Sequence, residues 1–119
     1  MNLTTQYKLE LKEVNSTIHI VTNHKEYEIL AQFLDYWNCT EDIEEDLLPE
    51  IDGVLSGTLD CSDIGADVVG LAYVELETTK LIGSDISYND FALATNDFKA
   101  LILEWMEIIK EFKKKSILD

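Results

Sequence analysis

The longest run of regular hydrophobic and polar alternation lies at the end of the chain. Over Thr95 to Lys115, Phe98, Leu101, Ile102, Trp105, Ile108, Ile109 and Phe112 fall on one helical stripe, with Glu104, Glu107, Lys110 and Glu111 opposite. Spacings of three and four predict an amphipathic helix. Thr95 or Asn96 is placed to cap its first amides. Asp97 near the start and Lys113, Lys114 and Lys115 near the end oppose the helix dipole. A stripe this rich in aromatic and branched side chains needs a broad apolar surface, and a sheet supplies one.

Earlier in the chain the period changes to two. Tyr7 to Val14 alternates as a half-buried strand, with Tyr7, Leu9 and Leu11 on one face, and Thr17 to Thr22 alternates again. A turn at Asn15-Ser16 pairs Val14 with Thr17, which sets Leu11 opposite Ile20, Lys12 opposite His19 and Glu13 opposite Ile18. Asn23 is the expected N-cap of a helix from His24 to Trp37, carried by Tyr27, Leu30, Ala31, Leu34 and Trp37. Thr40 is read as a second cap, for a short helix to Leu48 that Pro49 stops or bends. From Thr58 strands return: a weak one at Thr58 to Cys61, and a stronger one at Val68 to Glu77 that is apolar on both faces, as a central strand is. Thr78-Thr79 is read as a turn into Lys80 to Gly83, Ser84 to Asp90 as turn-rich, and Phe91 to Ala94 as a last strand entering the long helix. This order predicts a single α+β domain over residues 1–119, with an antiparallel sheet under the C-terminal helix.

Charge alters the picture more than size does. The chain of 119 residues has 24 acidic against 9 basic side chains, a net charge of −15. That balance opposes binding to nucleic acid or to an anionic membrane and favours a cationic partner. No apolar run approaches the roughly 20 residues that span a bilayer. The first residues lack the basic and apolar regions of a signal peptide, so a cytoplasmic protein is expected. Cys39 and Cys61, far apart and outside any CxxC pattern, are expected to be free thiols.

Catalytic chemistry has little to work with. His19 is assigned to the wet face of a strand and His24 to a helix start, both as surface residues. No nucleophile elbow, P-loop, zinc or dinucleotide motif occurs. Asp60 to Gly65 opens like a calcium loop, but Ile64 and Leu71 stand where oxygen ligands are required, so an acidic turn is predicted. No cofactor, metal or catalytic residue is expected.

The concentration of acids at Glu41 to Asp52, EDIEEDLLPEID, is the main candidate feature. Glu41, Asp42, Glu44, Glu45, Asp46, Glu50 and Asp52 are separated by Ile43, Leu47, Leu48 and Ile51, so the apolar residues can hold the segment on the core while carboxylates face outward. Either a solvated face or an electrostatic docking surface fits that pattern. Asp60, Asp63, Asp67, Asp85 and Asp90 extend the acidity along the sequence.

The segment FALATNDFKALILEWMEIIKEF, with Asp97-Phe98 followed by spaced aliphatics and Trp105, joins small size and strong acidity. In these features the chain resembles the small acidic immunity proteins encoded beside bacterial polymorphic and contact-dependent inhibition toxins. The resemblance is detailed from Phe91 onward and elsewhere rests on size and charge. It implies a cytoplasmic protein that neutralises one cognate, basic toxin, often a nuclease, by covering its active site. No binding motif of the family is matched, so no binding residue is carried over. The alternatives are a small homo-oligomeric module, for which Leu103 on the polar side of the long helix is a candidate patch residue, and a small enzyme of unrecognised type, which needs a pocket with convergent polar groups.

Overall fold

The structure is a computed structural model that describes residues 3–66, 70–83 and 90–118. Its first element is a short helix, α1 (Leu3–Gln6), which displaces the start of the expected strand. Lys8 adopts φ 56°, and two backbone bonds close the turn: Lys8 N–H to Thr5 O at 3.1 Å and Leu9 N–H to Thr4 O at 2.8 Å. That pair of bonds around a left-handed residue is a Schellman C-cap, with lysine where glycine is usual. The strand β1 (Glu10–Val14) therefore begins three residues later than the alternation suggests.

β1 pairs with β2 (Thr17–Val21) in the expected register, Leu11 with Ile20 and Val14 with Thr17. Asn15 at φ 52° and Ser16 at φ 64° both hold left-handed backbone. Together they form the two-residue primed turn whose twist suits a hairpin. The hairpin stands apart as its own two-stranded sheet. One carboxylate oxygen of Asp35 covers its outer edge, accepting from Ile20 N–H at 3.1 Å and lying 2.9 Å from His19 Nδ1. His19 is thus half-buried against Asp35 rather than fully wet.

A 3-10 turn, Lys25–Tyr27, leads into α2 (Glu28–Tyr36). Asn23 does not cap it: the N-cap residue is His24, without a side-chain cap bond, and the Asn23 amide donates to Glu10. Thr22 takes the turn-stabilising role, accepting from His24 N–H and donating to Lys8 O. The next helix does not end at Pro49. It runs as α3 (Thr40–Asp42), a π-helical turn (Ile43–Leu47) and α4 (Leu48–Leu55). Cys39, not Thr40, is its N-cap residue.

A four-stranded antiparallel sheet follows in the order β3 (Ser62–Gly65), β4 (Gly70–Val74), β5 (Thr78–Gly83), β6 (Phe91–Ala94). The Asp60 to Gly65 stretch is mostly strand rather than acidic turn, and Thr58 to Cys61 is not strand. β4 is a central strand, although Val68, Val69 and the Ser84 to Asn89 part of the turn-rich segment lie outside the described residues. The turn expected at Thr78-Thr79 sits just before it, where Glu75 N–H donates to Thr78 O at 3.0 Å. Gly70 holds φ 142°, and a Cβ there would run into the Ile82 carbonyl oxygen. Only glycine fits that position.

α5 (Thr95–Leu118) leaves β6 without a linker and packs on the inner face of this sheet. Phe98, Leu101, Ile102, Trp105 and Ile109 of α5 are buried with Ile64, Ala72, Val74, Leu81 and Leu93 of the sheet, and Phe33 lies against Phe98 with ring centroids 5.6 Å apart. Thr95 heads the helix, but its hydroxyl bonds back to the sheet, to Thr79 Oγ1 and Glu75 O.

Candidate functional site

The helical run 40–55 is held by a single apolar line. Ile43, Leu47, Ile51 and Val54 recur every three or four residues, and each is 1% exposed or less. The π-helical turn explains how the run passes Pro49. In a regular helix the proline ring would press on the carbonyl of Glu45 and leave its own bond unmade. Here Leu48 N–H bonds five residues back, to Ile43 O, and Pro49 occupies the second position of α4.

The same wide turn arranges the charge. Ile43 and Leu47 both point inward, so the three acids between them, Glu44, Glu45 and Asp46, share one exposed turn. Glu41 and Asp42 precede them near the positive end of the helix dipole. Glu50 and Asp52 follow on α4. All seven are exposed.

Three of the seven are tied to neighbours. Lys110 of α5 reaches Glu44 at 3.4 Å, Lys99 reaches Asp52 at 2.6 Å, and the Ser62 hydroxyl donates to Glu50 at 3.1 Å. Exposed ion pairs of this kind contribute about 0–1 kcal/mol each, so their main effect is to orient the run alongside α5 and β3. Among the described residues, Glu41, Asp42, Glu45 and Asp46 have no ionic or hydrogen-bonded partner. They form a group of uncompensated carboxylates on a rigid support.

The other acids divide. Asp60 and Asp63 lie on or beside β3, the strand that Ser62 links to α4, and so extend the same side of the molecule. Asp90 precedes β6, at the opposite edge of the sheet from β3. Three strand spacings, roughly 14 Å, separate the two edges. Asp67 and Asp85 lie outside the described residues. Cys39 is half-buried and Cys61 exposed, and both are free thiols. Cys61, as hydrogen-bond acceptor for the Tyr73 hydroxyl, is the largest of the causes that raise the Tyr73 pKa above the usual phenol value. Among the described residues no three His, Cys, Asp or Glu side chains gather as metal ligands do, and no helix is long and apolar enough to cross a membrane.

One feature escapes the sequence pattern. Leu11 is 49% exposed, and Ile108 and Phe112 are only half-buried, although all three fall on apolar faces of their elements. The two faces meet as the walls of an open groove, because the hairpin overhangs α5 instead of closing on it. No protein-family model, no curated protein and no solved structure matches the chain.

Proposed function

We propose that this protein is a binding inhibitor that neutralises a cognate basic protein toxin of the nuclease type in the bacterial cytoplasm. Its acidic helical run docks on the toxin's cationic active-site groove. The observation that carries this reading is the exposure of seven carboxylates on one run, four without partners, above an apolar line that is fully buried. Anchored this way, the charges hold their spacing when a partner approaches, so little conformational freedom is lost on binding. A cationic groove suited to phosphates attracts the same array of carboxylates. The resemblance to small acidic immunity proteins points the same way.

Complementary charge accelerates encounter, and salt screens it over a distance of about 8–10 Å. The test replaces Glu41, Asp42, Glu44, Glu45 and Asp46 with Asn or Gln and measures association with the product of the neighbouring gene across ionic strength. A steep loss of association rate at low salt is expected, with the dissociation rate changed far less. Unchanged binding, protection and salt dependence would remove this surface from the interface and the proposal with it.

A further inference from the structure

The register of the hairpin puts Leu11 and Glu13 of β1 and Ile18 and Ile20 of β2 on one face, and Leu9 immediately precedes β1 at its base. At its base that face is closed, with Leu9 8% and Ile20 2% exposed. Towards the turn it is not, and Leu11 and Ile18 overhang Ile108 and Phe112 of α5. Between them lies a hollow of about 350 Å³. A second hollow, about 420 Å³, continues it towards Leu103 and shares Glu107 and Ile108 as walls. On α5 the apolar walls of the first hollow, Ile108 and Phe112, lie about one helical turn apart, roughly 6 Å at about 1.5 Å per residue, while Leu103 of the second hollow lies about half a turn round the helix from Phe112.

The rim decides what fits. Glu107 and Glu111 are exposed and have no partner among the described residues, and Glu13 stands on the same hairpin face. Lys115 is the single cation among the residues lining the two hollows. A second copy of this chain would bring a net charge of −15 and another acidic rim against this one. Self-association is therefore opposed. Apolar knobs at i and i+3 or i+4 lie about 5–6 Å apart along a helix, which matches Ile108 and Phe112, and Lys or Arg beside the knobs would meet the glutamates.

We propose that the groove between the β1–β2 hairpin and the C-terminal half of α5 is a docking site for a basic amphipathic helix of a partner protein. It does not rest on the reading of the acidic run, which lies on the other flank of α5, where Lys99 meets Asp52 and Lys110 meets Glu44.

The probe is a synthetic Leu/Lys amphipathic peptide of about 18 residues, five helical turns, titrated into the isotopically labelled protein and followed by amide chemical shifts. Saturable shifts centred on residues 11–18 and 103–112 are expected. Binding should weaken about tenfold for a scrambled peptide of equal charge, and by a similar factor for Leu11→Ser and for Leu11→Ser/Ile108→Ser. Leu11 is exposed enough for the single variant to keep its fold, which an unchanged unfolding midpoint verifies. The variant with residues 41, 42, 44, 45 and 46 neutralised should keep the peptide shifts at 103–112. Absence of binding, equal binding of the scrambled peptide, or shifts centred on residues 41–52 would each overturn the proposal.

Discussion

The indole N–H of Trp105 donates to the backbone carbonyl of Trp37 at 2.8 Å. Trp37 is the C-cap residue of α2. Its carbonyl is among those that the end of a helix leaves without an internal partner. The buried centre of α5 thereby caps a second helix. Trp105→Ala should cost about 3–5 kcal/mol, through lost burial and a cavity. Trp105→Phe keeps much of the volume and should cost about 1–3 kcal/mol, because the Trp37 carbonyl loses its donor. Denaturant unfolding of both variants separates the terms, and no loss for Trp105→Phe would mean that the bond contributes nothing.

A second tie fixes the start of α5. Thr95 gives its only hydroxyl proton to Glu75 O at 2.6 Å, so Thr79, 2.9 Å away, must donate to Thr95. Both threonines are fully buried. Thr95→Val strands one donor and one acceptor and should cost about 1–3 kcal/mol. Thr79→Val should cost less, since Thr95 keeps its bond to Glu75. The double variant should be more stable than the sum of the single losses predicts, and strict additivity would refute the shared network.

Elements with an uninterrupted period were legible in the chain. The hairpin register follows from alternation on both sides of the Asn15-Ser16 turn, and α5 from a stripe with no Pro or Gly in it. β3 was not legible because Asp60, Ser62, Asp63 and Gly65 favour turns; its strand form comes from pairing with β4. Pro49 signalled a stop or a bend, and the run continues past it through the π-helical turn. Exposure of the acidic run could be read from its apolar spacing. The ties of Glu44 and Asp52 could not, since Lys110 and Lys99 are distant in sequence. The groove was hidden for a related reason: a pattern identifies an apolar face but not what covers it.

Lys8 holds a left-handed backbone conformation, and its side chain is exposed. That conformation costs an L-residue about 1–2 kcal/mol and glycine almost nothing. Lys8→Gly should therefore raise stability by up to about 1 kcal/mol after the added freedom of the unfolded chain is subtracted. Thermal unfolding of the pair measures it, and a lower midpoint for Lys8→Gly would show that the lysine side chain outweighs the strain.

The Tyr7 hydroxyl donates to Asp97 at 3.0 Å, between the rings of Tyr27 and Phe91. Burial, then that bond and the charge of Asp97, push its pKa from 10.0 to about 12. The folded state thus favours the neutral phenol. Its stabilising contribution is complete below about pH 10 and is lost as pH rises towards about 12. The difference in stability between the parent and Tyr7→Phe should be constant below that range and shrink within it. A difference that stays flat throughout would contradict the raised value.

The exposed acidic run carries a stability cost that can be measured without any partner. Glu41, Asp42, Glu45 and Asp46 add to a net charge of −15 and gain no ion pair among the described residues. Glu41 and Asp42 recover part of this from the helix dipole, about 0.3–1 kcal/mol each at low salt, whereas Glu45 and Asp46 lie beyond the first turn. Glu45→Gln/Asp46→Asn should therefore stabilise the protein at low salt, and added salt should reduce the gain as screening replaces neutralisation. Glu44→Gln/Asp52→Asn removes equal charge but also the contacts to Lys110 and Lys99, and should stabilise less. Urea midpoints of the two double variants at low and high salt decide the matter. If the first double variant is no more stable than the parent at low salt, its two carboxylates are not mutually repelled, and a cationic partner would find less unrelieved charge there to neutralise.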